Sequence, residues 1–108
     1  MFEMLFAQPH SPTSRAAAIA YANAAPNARR RVFDLLERVR GGLTDEEIQE
    51  ALHMSANTER PRRIELERAG VVADSGRQRP TRAGMAAVIW TVTGQPYPTQ
   101  WPKRRRKP

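Results

Sequence analysis

Apolar positions between residues 25 and 72 recur at helical spacing, and Gly, Pro and capping residues cut them into separate elements. Val32, Phe33, Leu35, Leu36 and Val39 form a stripe spaced by three and four. This predicts a helix from an Asn27 cap to Arg40 with one face on a core. Gly41-Gly42 then supplies a left-handed stop. Thr44-Asp45-Glu46-Glu47 reads as a capping box, and its three acids suit the positive end of the helix dipole. The helix it opens is short, with Ile48, Ala51 and Leu52 as apolar positions before Met54 and a new cap, Ser55. Another helix ends at Gly70, and Val71-Val72 leads into an Asp74-Ser75-Gly76 turn signal. Ala86 to Val92 closes on β-formers, Val88 to Val92. Upstream, Thr13 or Ser14 caps an Ala-rich helix over Arg15 to Ala24, which Pro26 interrupts. Its close Ala faces suit either the domain's own core or a second copy of the chain.

In order, the elements are helix, helix, short helix, turn, helix, strand, long basic loop, strand. That is the order of a winged helix-turn-helix. The expected fold is mainly α with a small β wing: three to four helices plus a two- or three-stranded antiparallel sheet over residues 13–94. Pro9 and Pro12 mark 1–12 as a flexible leader, and Pro96, Pro98 and Pro102 mark 95–108 as a disordered basic tail. Trp90 is expected in the core, closing the sheet onto Phe33 and Leu36.

Charge decides which functions fit this frame. The 108 residues suit one domain and carry 18 Lys+Arg against 11 Asp+Glu, a formal +7. The absence of cysteine excludes disulfide scaffolds, zinc ribbons and thiol catalysis. His10 and His53 stand without spaced ligand partners, so no metal or cofactor is expected. No acid pair or Ser/His/Asp set shares a predicted face, so no enzyme is expected either. Met1 to Phe6 lacks the basic region and long apolar run of a signal peptide, and no run is long enough for a membrane span. A cytoplasmic, nucleoid-associated protein is the expectation.

Pro61 shapes the reading of the helix after Ser55. Placed mid-helix it would cost about 3 kcal/mol. A tight turn over Ser55 to Thr58, followed by a helix over about 59–69, avoids that cost. In a helix-turn-helix the N-terminal residues of the second helix meet base edges in the major groove. Here they are Asn57, Thr58, Arg60, Arg62 and Arg63, and Arg reads guanine as Asn reads adenine. Helical winding puts Arg62 with Leu66 on the core side, and Arg60 and Arg63 on the other. Arg62 is therefore either a contact or a structural residue paired to an acid of the preceding helix. Arg77, Arg79 and Arg82 fall on an eleven-residue wing loop over about 75–85, suited to phosphate or the minor groove. Secondary phosphate contacts are Arg29 and Arg30, and the terminal Lys103, Arg104, Arg105, Arg106 and Lys107. Tyr97 and Trp101 beside that run could stack on unpaired bases. A solvated loop and a solubilising tail are the plainer alternatives.

The stretch 43–72, LTDEEIQEALHMSANTERPRRIELERAGVV, resembles the winged helix-turn-helix of bacterial and phage transcription regulators. These include the MarR-like group and the DNA-binding domain of the SOS repressor. It is most similar to small actinobacterial and actinophage proteins with a Thr-x-Arg-Pro-Arg-Arg-x-Glu-Leu segment and an Arg-Pro-Thr-x-x-Gly wing. Thr58 to Leu66 and Arg79 to Gly84 carry those patterns, and the likeness spans roughly residues 13–92. It implies a regulator that binds double-stranded DNA, as a monomer or a homodimer, with no small-molecule ligand and no membrane partner. The competing classes are a winged-helix protein-interaction module and a sequence-blind accessory factor of replication or recombination.

Overall fold

The computed structural model describes residues 15–18, 20 and 24–102. Residues 15–18 and 20 are helical and exposed. Three helices follow, α1 (Ala25–Arg38), α2 (Asp45–Leu52) and α3 (Ala56–Arg68), and then two strands, β1 (Val72–Pro80) and β2 (Ala86–Val92). The fold is mainly helical with a small antiparallel hairpin, as the element order leads one to expect. The leader at 1–12, the Thr13/Ser14 cap, Tyr21 and the cations at 103–107 lie outside the described residues.

The α1 stripe packs as its spacing requires. Ala28, Val32, Phe33, Leu35 and Leu36 are all buried. Its start differs from the expectation: Pro26 opens the helix instead of interrupting it, Ala24 is the N-cap, and Asn27 lies inside. A proline costs nothing in the first helical turn, where its missing N–H has no intrahelical acceptor. The helix ends at Arg38, two residues before the expected Arg40.

The chain then turns through Gly42, at φ +93°. This glycine is wedged against β2, because a Cβ there would lie 2.5 Å from Ile89 Cγ2 and 2.7 Å from the Trp90 carbonyl oxygen. The tight approach lets Leu43 exchange two backbone hydrogen bonds with Trp90, of 3.1 and 2.8 Å. A single bridge residue thus stands where a third strand could have been. Gly42→Ala adds a clash to an unfavourable φ, and is expected to lower stability by about 2–4 kcal/mol. A denaturant midpoint equal to that of the wild type would contradict this packing.

The capping box forms as read: Glu47 N–H donates to Thr44 Oγ1 at 3.2 Å, and Thr44 N–H donates to Glu47 Oε1 at 2.9 Å. Ile48 and Leu52 are buried, whereas Ala51 faces solvent. His53 takes a left-handed conformation, and Met54 N–H reaches the Gln49 carbonyl at 2.9 Å. That turn aims α3 across α2.

α3 is one continuous helix from Ala56, capped by Ser55, with Pro61 inside it. The separate turn and later start expected from Pro61 are not formed. Pro61 leaves the Asn57 carbonyl without its helical donor. Both residues are exposed, so water can take the donor's place.

The wing also departs from expectation. The pairs Val72↔Val92 through Asp74↔Trp90 resume at Gln78↔Val88 and continue to Pro80↔Ala86. The Asp74-Ser75-Gly76 signal therefore makes a bulge inside β1 and no chain reversal, and the loop shrinks to residues 81–85. Gly76 sits at φ +82°, and its N–H donates to Asp74 Oδ1 at 2.8 Å. Three residues against one on β2 is what a bulge accommodates.

Residues 95–102, the described part of the expected tail, return to the domain. Tyr97 and Trp101 pack against the core, with the Tyr97 ring 5.1 Å from Phe33 and 5.3 Å from Trp101. Three prolines forbid regular structure here, yet leave the two aromatics able to bury apolar area. The core itself joins the α1 stripe to Ile48, Leu66, Val71, Val72 and Trp90, all buried.

Candidate nucleic-acid interface

The outer face of α3 carries Asn57, Arg60 and Pro61, all exposed, then half-buried Ile64 and exposed Glu67 and Arg68. Arg60 keeps 61% of its side chain in solvent, with its Nε 3.9 Å from Asp45 Oδ2. Thr58 is half-buried and drawn into the cap, where Ser55 Oγ donates to Thr58 Oγ1 at 3.1 Å.

Arg62 and Arg63 are engaged inside the domain. Arg63 retains only 12% exposure, and its Nε and Nη2 donate to the two Asp45 oxygens at 3.0 and 2.8 Å. Its Nη1 donates to Glu67 at 3.1 Å, and the guanidinium lies 4.1 Å over the Trp90 ring. This corrects the expectation of Arg63 as an outward base contact: three residues from buried Leu66, it lies only about 60° around the helix from the core face and turns toward α2 and β2. Arg62, at 18% exposure, donates to Glu65 on its own helix at 3.1 Å, not to an acid of the preceding helix. Arg29 Nη1 donates to the other Glu65 oxygen at 3.1 Å, tying α1 to α3.

Glu59 is fully buried in this recognition segment. Gln49 Nε2 donates to its Oε1 at 2.9 Å, while its Oε2 finds no donor. An ionised, buried carboxylate with an orphaned oxygen beside Asp45 would be strongly disfavoured. Burial, and then the hydrogen bond and negative charge of Asp45, push Glu59 up to about 8, so at neutral pH it carries a proton toward Asp45. For Asp45 burial acts upward too, but it is outweighed. Hydrogen bonds from Arg63 and Glu59 and the charges of Arg63 and Arg60 hold it below the ordinary carboxylate range. The two neighbouring carboxyls, Asp45 on α2 and Glu59 on α3, are thus pushed in opposite directions.

The sequence contained the signal for Glu59. It lies seven residues before Leu66, two helical turns, and so on the same face as a core residue.

The wing arginines fold back on α2. Arg77 Nη2 donates to the Gly41 carbonyl at 2.7 Å, and Arg79 pairs with Glu47 at 2.9 Å. Arg82 pairs with Glu50, and its backbone N–H donates to Glu46 at 2.9 Å. α2 carries four acids, Asp45, Glu46, Glu47 and Glu50. Asp45, Glu47 and Glu50 are neutralised internally by Arg63, Arg79 and Arg82. Arg82 still exposes 78% of its side chain, and Arg77 keeps its charge because its partner is a neutral carbonyl.

The secondary contacts are occupied as well. Arg30 pairs with Asp34 at 3.1 Å and lies 4.4 Å over the Tyr97 ring. Tyr97 and Trp101, offered as stacking platforms for bases, are faced by Arg30 and Arg29 respectively.

A groove of about 450 Å³ runs between α2, α3 and the wing, with Asp45, Arg60 and Arg63 on its walls and Trp90, Val88 and Met85 among its apolar lining. Among the described residues no group of three or more His, Cys, Asp or Glu could hold a metal ion. No helix among them is long and apolar enough to cross a membrane. No family model, curated protein or solved structure matches the chain.

Proposed function

We propose that this chain binds double-stranded DNA and regulates transcription in a bacterium or phage by occupying its site on the nucleoid. The observation that carries the reading is the first two turns of α3, where Asn57 and Arg60 are exposed, backed by a buried network and flanked by a hairpin. A helix N-terminus offers unpaired N–H groups to phosphate, and its outward side chains meet base edges.

Roles within the earlier set are redistributed. Asn57 and Arg60 read bases, with Arg60 able to form two parallel hydrogen bonds to guanine. Arg63 positions α3 through Asp45 and Trp90. Arg77 and Arg82 face the phosphate backbone from the wing. With about six phosphates neutralised by these and the terminal cations, log K should fall with log salt at a slope of roughly −5. Fluorescence anisotropy of a labelled duplex over a salt series measures it, and a slope near zero would sink the reading.

The internal pairing of Arg79 and Arg82 favours a second reading, a winged-helix module that docks on a protein partner. Duplex affinity unchanged by Arg60→Ala would support it.

A further inference from the structure

We infer that Ile64 and Pro61 form an apolar contact for the 5-methyl group of a thymine, within about two base pairs of the base read by Arg60. The inference rests on the DNA-binding reading above and names part of the sequence that face would select.

Neither side chain is used by the fold. At about 100° per residue, Ile64 lies roughly 160° around α3 from buried Leu66, and Pro61 roughly 140°. Among the described residues the core takes Leu66 and Ala69 from this stretch and leaves Ile64 out. Pro61 is exposed, and it deprives the Asn57 carbonyl of its helical donor. An interior proline is the least favourable residue a helix can hold. An aliphatic side chain and a proline ring are thus set outward as neighbours, three residues apart on one helix surface.

Their surroundings point to what covers them. Asn57, Arg60, Pro61 and Ile64 stand at i, i+3, i+4 and i+7, the face that a helix lying in the major groove turns to base edges. Arg60 and Arg68 stand one turn to either side of half-buried Ile64, and both are exposed. Glu67, the acid beside it, is held by Arg63 at 3.1 Å. An apolar spot between guanidinium groups suits a polyanion that itself carries an apolar group. A stable protein interface would need about 800 Å² from each partner, far more than two side chains offer.

Thymine is the base that meets this description, because its major-groove edge carries the C5 methyl. Guanine, adenine and cytosine present polar atoms there, which Ile64 would strip of water without offering a partner. Helix rise limits where the thymine lies. Arg60 and Ile64 are separated by about 6 Å along the axis, and successive base pairs by about 3.4 Å, so the two side chains face edges about two base pairs apart at most.

Duplex selected from a randomised pool supplies the probe. Each thymine near the position that relaxes in Arg60→Ala is replaced in turn by deoxyuridine, which lacks only the methyl. At one of them the wild-type chain is expected to bind about fourfold more weakly by anisotropy, the worth of one methyl group taken from water. Ile64→Ala should bind the thymine and deoxyuridine duplexes equally. Ile64→Gln, which keeps helix propensity and a side-chain stem, should do the same. An enriched motif with no thymine in that range would overturn the inference and leave base reading by Arg60 standing. So would deoxyuridine duplexes bound as tightly as their thymine parents by the wild-type chain. A deoxyuridine penalty of the same size in wild type and in both Ile64 variants would overturn it too, because another residue would then feel the methyl. A pool recovered without enrichment would overturn the base-reading face itself and the inference with it.

Discussion

Glu59→Gln is expected to stabilise the protein by several kcal/mol at pH 8 and above, and to flatten its stability between pH 5 and 8. The unfolded chain releases this proton near the ordinary value of 4.5, whereas the folded protein holds it to about 8. Between those values the native state binds a proton that the unfolded state lacks. Glu59's contribution is therefore complete below about 4.5 and is lost as pH rises toward 8, at about 1.4 kcal/mol per pH unit for one group. Asp45 works in the opposite sense, since its lowered value removes stability only as pH falls through the acid range. Gln at 59 keeps a donor toward Asp45 and an acceptor for Gln49, and has no charge to bury. Urea unfolding of both proteins from pH 5 to 9 measures the difference. Parallel stability curves would show that Glu59 is not the buried, proton-bearing partner described above.

Arg63 and Arg60, three residues apart on α3, should separate stability from binding. Arg63→Ala removes two hydrogen bonds to Asp45 and uncovers one face of Trp90. Breaking a largely buried pair from one side leaves a charge without its partner, and a loss of about 3–5 kcal/mol is expected. Arg60→Ala loses only a 3.9 Å approach at an exposed site, so its stability should stay within about 0.5 kcal/mol of wild type. In duplex binding the order reverses: Arg60→Ala should cost about 1–3 kcal/mol with a folded protein. Denaturation and anisotropy on the same two samples make the comparison. Arg63→Ala as stable as the wild type would contradict the Asp45–Arg63–Trp90 arrangement.

These two sites also mark how far the sequence could be read. The α1 stripe, the Thr44 capping box and the β-forming run at 86–92 are local signals: each depends on neighbours within one turn or one strand, and each forms. Pro61 does not delay the helix, because the exposed Asn57 carbonyl that loses its donor can turn to water. Glu59 lies two turns before Leu66 inside the expected helix as well, but a carboxylate gives no local sign of burial, which only the fold shows. The wing differs from expectation because Asp-Ser-Gly serves equally as a turn or as a bulge, and only the cross-strand register decides. Pairings such as Arg79 with Glu47 and Trp101 with Arg29 join residues more than thirty positions apart. Charge patterning along the chain cannot show them, because an arginine's partner depends on the fold.

Those pairings narrow the set of residues proposed to contact DNA. Arg63 supports the helix, Arg29 clasps α1 to α3, and Arg60 with Asn57 remains outward on the turns that a helix-turn-helix presents to a groove.

Selection of bound duplexes from a randomised pool at near-physiological salt asks whether α3 reads bases. An enriched motif is expected, with a guanine or adenine position that relaxes when Arg60 or Asn57 is replaced by Ala. A palindromic motif would add a two-fold dimer. A pool recovered without enrichment would contradict base reading by α3 and leave a sequence-blind DNA protein. No recovered duplex at all would contradict DNA binding itself.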